Sequence, residues 1–163
     1  MPVNQQENEN TNSNENTNNN GNNNENSSSG ENTKTPQNTA NVKIDENSKK
    51  AYIKPHATVQ EIKEAFGEVT ITDKNGTQLS GNALVGTGCK IDGMYTIIKK
   101  GDCNGDGNTN ALDAAIILRY TVGQYTLEWE YKEAGSLDSQ QNPTALDAAK
   151  ILRYTVGAYD IGI

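Results

Sequence analysis

The chain has 163 residues, of which 33% are hydrophobic and 6% aromatic, and its net charge is −7. That acidic balance argues against nucleic-acid or anionic-membrane binding, and no apolar run nears the roughly 20 residues of a membrane span. At most about 120 residues carry folding patterns, which bounds the chain to one or two very small domains whose marginal cores are commonly stapled by metal.

Residues 1–41 are Asn-rich, with Glu, Ser, Thr and Gly, and five glutamates oppose one lysine there. So few apolar side chains cannot offset chain entropy. The tract is expected to be a disordered tail: a linker between modules of a secreted protein, or else a leader. Met1-Pro2-Val3 runs into polar residues with no apolar stretch. No signal peptide is therefore expected, and a chain working outside the cell would be a fragment of a longer one.

Residues 42–100 read as a small α+β module. Val42-Lys43-Ile44 and Ala51-Tyr52-Ile53 suit strands, and Pro55 breaks the run. Thr58-Val59-Gln60-Glu61 is a capping box opening a helix with Val59, Ile62, Ala65 and Phe66 on one face and Gly67 at its end. Val69 to Thr72, Leu84-Val85, Cys89 to Ile91 and Met94 to Ile98 give further strand. Asp73 to Gly76 makes a turn and Asp92-Gly93 a hairpin. The hairpin would set Cys89 opposite Thr96, away from Cys103, leaving both thiols free. His56, the single histidine, reads as a solvated loop residue. No nucleophile–base or carboxylate pair stands out, so no enzyme is expected. Tyr52, Phe66 and Tyr95 fit core packing better than a sugar-binding platform.

Beyond residue 100 the pattern changes. With Asp102 as position 1 of a loop, Asn104, Asp106, Gly107, Asn108, Asn110 and Asp113 fall at positions 3, 5, 6, 7, 9 and 12. That is the spacing of a calcium loop of the EF-hand kind. A hard cation wants six to eight oxygen ligands at about 2.3–2.6 Å, and this alternation supplies them. Asn108 would give its backbone carbonyl, Asn110 would act through water, and Gly107 permits the sharp turn. Residues Ala111 to Gly123 then form an amphipathic helix, with Leu112, Ile116, Arg119, Tyr120 and Gly123 on one stripe. The same 13 residues return 34 positions later as Ala145 to Gly157, with Lys150 in place of Ile116 as the single change. Between the copies, Gln124 to Ala134 reads as a connecting helix capped by Thr126, packing Trp129 or Leu127 between the repeats.

The second loop is poorer. At the same offset, Ser136, Asp138, Gln140, Gln141, Thr144 and Asp147 take positions 1, 3, 5, 6, 9 and 12. Starting instead at Asp138 leaves the loop two residues short. Asp138, Asn142 and Asp147 are the oxygen donors left for a second site, which is expected to be weak or lost, with the turn held by their hydrogen bonds.

A calcium loop followed by one helix, twice, with Asp at position 12 and an Arg-Tyr pair late in the helix, resembles the type I dockerin. The likeness covers residues 101–157. The strand-like Met94 to Ile98 stands where an EF-hand has its incoming helix. The resemblance implies an all-α domain over 101–163 made of two calcium-loop–helix repeats, 102–123 and 136–157. Calcium is the implied cofactor, with one firm site at Asp102, Asn104, Asp106, Asn108, Asn110 and Asp113. The implied partner is a cohesin domain of a scaffoldin, to which a secreted, polysaccharide-degrading protein is anchored, in an extracellular or cell-surface complex. The implied contact residues are Ala111, Leu112, Leu118 and Arg119, and in the second copy Ala145, Leu146, Leu152 and Arg153. Leu112 and Leu146 packing inside is the plain alternative. Near-identity of the copies suggests docking in either of two orientations by an otherwise monomeric chain. More loosely, residues 42–100 resemble the X-type modules that precede dockerins. A calcium sensor is disfavoured, since it needs Met-rich grooves and helices on both sides of each loop. A tetratricopeptide array shares the period but has no Asp/Gly loop.

Overall fold

The computed structural model describes residues 34–138 and 141–163. The tail expected over residues 1–33 and the loop position at Gln140 lie outside the described residues. Residues 31–163 form one compact unit.

Among the described residues, ten short elements follow one another: β1 (Val42–Asp45), β2 (Lys50–Ile53), α1 (Val59–Phe66), β3 (Ile71–Thr72), β4 (Gln78–Leu79), β5 (Lys90–Ile91), β6 (Tyr95–Lys99), α2 (Ala111–Thr121), α3 (Trp129–Gly135) and α4 (Ala145–Thr155). The strands make one sheet in the order β1-β2-β6-β5-β3-β4. Strands β2 and β6 pair in parallel, and α1 with three intervening strands separates them in sequence. The α+β reading of residues 42–100 and the helical reading beyond them both describe this architecture.

Local chemistry explains most boundaries. Thr58 and Glu61 form the reciprocal capping box, and Gly67 stops α1 at φ +89°. Its apolar face of Val59, Ile62, Ala65 and Phe66 closes over Ala51, Ile53, Ile91 and Ile97 of the sheet to make the first core. Phe66 meets Tyr95 edge-on at 4.9 Å. Each isoleucine sealed there contributes about 1.5–3 kcal/mol.

Three expectations for this half need correction. Residues 34–41 are not loose linker: Gln37 N–H donates to Ala65 O at 2.9 Å and Ile44 N–H to Asn38 Oδ1 at 2.7 Å, pinning the segment along the module. The hairpin at Asp92-Gly93 forms, but Met94 joins the turn and Lys90, not Cys89, sits opposite Thr96. The extra turn residue shifts the register by one. Leu84-Val85 is loop rather than strand, and the Gln78–Leu79 strand had no periodic signal because it is two residues long. Both cysteines are free and buried, and burial pushes their thiols up.

A second core lies among the helices. Ala114, Ile116 and Ile117 of α2 meet Ala148 and Ile151 of α4, joined by Cys103, Leu127 and Ile161. The small Ala114 and Ala148 let the rods approach closely. Helix α3 packs against β6 of the sheet. It starts at Trp129 with Glu128 as N-cap and no side-chain cap, so Thr126 does not open it. Leu127 is the residue buried between the repeats, whereas Trp129 is half-exposed with the Lys50 ammonium 4.9 Å from its ring centroid. The two halves meet there: Glu133 accepts from Lys50 Nζ at 2.7 Å and from the Tyr52 hydroxyl. No helix among the described residues is long and apolar enough to cross a membrane.

Candidate functional site

Strand β6 leads into the first loop, and Asn110 ends it as N-cap of α2. Side chains inside the loop hold it by Asx turns. Asn104 Oδ1 accepts from Asp106 N–H at 2.9 Å, and Asp106 Oδ1 from Asn108 N–H at 2.7 Å. Asp102 is fully buried. Its Oδ1 accepts from Gly105 N–H at 2.7 Å, its Oδ2 from Gly107 N–H at 3.2 Å and from Thr87 N–H at 2.9 Å. Asp113, also fully buried, accepts from Cys103 N–H and Asn110 N–H, each at 2.9 Å.

Asp113 thus has two roles at once. It is position 12 of the loop and the third helical residue of a capping box with Asn110.

The upstream module presses on this loop. Gly86 lies so near that a Cβ there would stand 2.6 Å from Gly105 O. Buried Lys99 donates to Gly107 O at 2.7 Å and to Val85 O at 3.1 Å. Gly107 holds φ +84°. Thr87, Gly86 and Lys99 act through the folded chain, so no spacing in the sequence pointed to them.

The electrostatics are unbalanced. Burial pushes the Asp113 carboxyl up to about 6, amide bonds from Asn110 and Cys103 oppose it, and the charges of Asp102 and Asp106 add to it. Burial likewise raises Asp102, against its three amide donors, with Asp106 adding. Among the described residues, no lysine or arginine forms an ion pair with Asp102, Asp106 or Asp113. An all-oxygen donor set with unpaired buried carboxylates suits a hard divalent cation. The carboxylates do not converge on a common point: among the described residues, no three His, Cys, Asp or Glu side chains are grouped closely enough to hold a metal.

The second loop keeps the scaffold and changes the charges. Asp147 is buried and repeats the Asp113 pattern, accepting from Leu137 N–H at 2.9 Å, Thr144 N–H at 2.7 Å and the Thr144 hydroxyl at 2.7 Å. Asp138 pairs with the Lys150 ammonium. Asn142 Oδ1 accepts from the Tyr120 hydroxyl of α2 at 2.9 Å. The three residues expected as a weak second site are therefore committed to three different partners. Ser136 is buried, and its carbonyl accepts from Lys100 Nζ at 3.0 Å.

The outer faces of the two helices match. Ala111, Leu112, Leu118 and Arg119 are exposed on α2, as are Ala145, Leu146, Leu152 and Arg153 on α4. Leu112 is 54% and Leu146 59% exposed, so neither packs inside. The stripe read through Leu112 and Ile116 is not one face: Ile116 turns into the core. Val122 and Val156 extend the outer apolar rows and went unnoticed in sequence, although each lies four residues beyond an exposed leucine.

Residues 100–155 match the family model of the dockerin type I domain. No curated protein and no solved structure matches the chain.

Proposed function

We propose, from the premise that residues 100–155 are a type I dockerin domain, that this chain anchors the protein bearing it to a cohesin domain of a scaffoldin. Dockerin domains bind cohesins and calcium, and are interaction modules rather than catalysts. The finer reading concerns this chain: a monomeric adaptor that docks through the outer face of either α2 or α4 on a secreted or cell-surface assembly handling polysaccharide. The observation that carries it is the pair of matched outer faces. Helices α2 and α4 pack their inner faces together and leave Leu112, Leu118 and Arg119, and their twins Leu146, Leu152 and Arg153, facing water. Monomeric proteins seldom expose two such like patches without a partner for them.

Calcium would sit in the first loop, on oxygens of Asp102, Asn104, Asp106, Asn108, Asn110 and Asp113. When bound it neutralises carboxylates that otherwise repel one another. The chain's own residues do the rest. Asp113 links the loop to the first turn of α2, so the order of the loop and of the docking face rise together. Residues 42–100 are read as an accessory module that braces the loop through Thr87 and Lys99.

The test is binding to a panel of cohesins by calorimetry, in calcium and in excess chelator, with Leu112→Asp, Leu146→Asp and the double variant. Either single change should leave binding largely intact, and the double change should abolish it. Loss in one single variant removes the two-orientation reading, and no binding to any cohesin removes the anchoring role.

A further inference from the structure

The two repeats differ at one helix position, and that position faces a loop. In α2 it is Ile116, buried in the helical core. In α4 it is Lys150, whose ammonium reaches back over 12 residues to the Asp138 carboxylate at loop position 3. Only 16% of the Lys150 side chain is exposed, and its ammonium lies 5.8 Å from the Tyr159 ring centroid. The Lys150 side chain is thus largely covered and lies against an aromatic face, while Asp138 stays exposed.

The remaining charges of this loop are settled as well. Ser136 stands where Asp102 puts a buried carboxylate in the first loop. Asp147 has three donors where Asp113 has two. The Lys100 ammonium caps the end of α3, donating to Glu133 O and Ser136 O. A calcium ion would have to displace Lys150 from Asp138 and would find no carboxylate at position 1. The described residues of this loop offer a calcium ion fewer free carboxylates than those of the first loop.

We propose that the second repeat carries its own cation, the Lys150 ammonium, so that the α4 docking face stays formed without calcium while the α2 face depends on it. This rests on the reading of both faces as docking surfaces. It refines that reading: the chain holds one face permanently ready and one face gated by the metal. In chelator, docking runs through α4 alone.

Hydrogen exchange of the whole chain, with calcium alone as the probe, tests this without any partner. Moving the protein from calcium to chelator should quicken exchange at the first-turn amides of α2, Asp113 to Ile117, by about tenfold or more. The matching amides of α4, Asp147 to Ile151, should hold their rates. Calorimetry should count one calcium per chain. Lys150→Ile, which makes the two helices alike, should quicken the α4 amides roughly two- to fivefold with or without calcium, while Lys150→Arg should keep them slow. If α4 loosens in chelator along with α2, or two ions bind, the built-in cation is wrong and the calcium-dependent dockerin reading stands. If neither helix responds to chelator, that reading fails and the proposal fails with it. If Lys150→Ile does not fold, the wild-type comparison and the ion count still decide.

Discussion

The two loops are one scaffold wired for different charges. Each ends in an Asp that caps the following helix through the same two backbone amides, from loop positions 2 and 9. The first loop adds buried Asp102 and leaves its acids without an ion-pair partner among the described residues. The second replaces that acid by Ser136 and pairs its Asp138 with Lys150, while each loop has one lysine on a backbone carbonyl, Lys99 on Gly107 O and Lys100 on Ser136 O. Cap geometry alone therefore suffices to start an α-helix here. The first loop differs in the buried negative charge of Asp102 that it adds to that cap.

The sharpest way to break the comparison is to remove the shared Asp from each loop. Asp113→Ala and Asp147→Ala should each lose about 1–2 kcal/mol of cap and amide bonding. Only Asp113→Ala should also weaken calcium binding, by about 100-fold or more. Calorimetry and thermal melts with and without calcium read both effects. Equal calcium losses in the two variants would erase the distinction.

Next in size is Gly86→Ala. Its Cβ would meet Gly105 O at 2.6 Å and Gly107 N at 2.9 Å, backbone on both sides. The strain should cost about 1–3 kcal/mol and lower calcium affinity, because the loop must shift. The Gly86 contact touches the first loop and not the second, so the α4 amides should not respond.

Acidity separates the metal-free and calcium-bound first loop by sign. Without metal, the folded-state pKa of Asp113 is raised to about 6 from 3.8. The folded state then holds the proton better than the unfolded one between those values, so stability falls as pH rises through that window. In chelator, the melting temperature should drop from pH 4 to pH 7. Calcium, which needs the ionised acid, should reverse the slope and bind more weakly below about pH 6. A chelated melt that does not change between pH 4 and 7 contradicts the account of Asp113.

The smallest effect belongs to the link between repeats. Tyr120→Phe removes the bond to Asn142 and should cost no more than about 1 kcal/mol, at an exposed site, with calcium binding unchanged. A loss of calcium affinity there would mean that the second loop shares the ion.

What could be read from sequence was local. The capping box at Thr58 and Glu61, the pattern of the first loop and both helices follow from spacings within a dozen residues, whereas the outer leucines were named only through the family resemblance. The two-residue strand Gln78–Leu79 and the one-residue shift at Asp92-Gly93 do not follow from spacing, because pairing across the sheet decides them. The brace of Gly86, Thr87 and Lys99 on the first loop was invisible for the same reason. Lys150 was visible as the odd residue of the repeat, but only its reach to Asp138 gives it meaning. The boundary expected at residue 100 rests on the change in sequence pattern, and side-chain bonds run across it.

Lys99 and Lys100 are neighbours, and alternation along an extended strand sends their side chains to opposite sides. One ammonium is fastened to the first loop, the other to the start of the second. The two loops are therefore tied, one each, to adjacent residues at the end of β6. A transplant of the two loops and their helices should start ahead of residue 34 rather than at 101, since the shorter piece leaves both lysines behind.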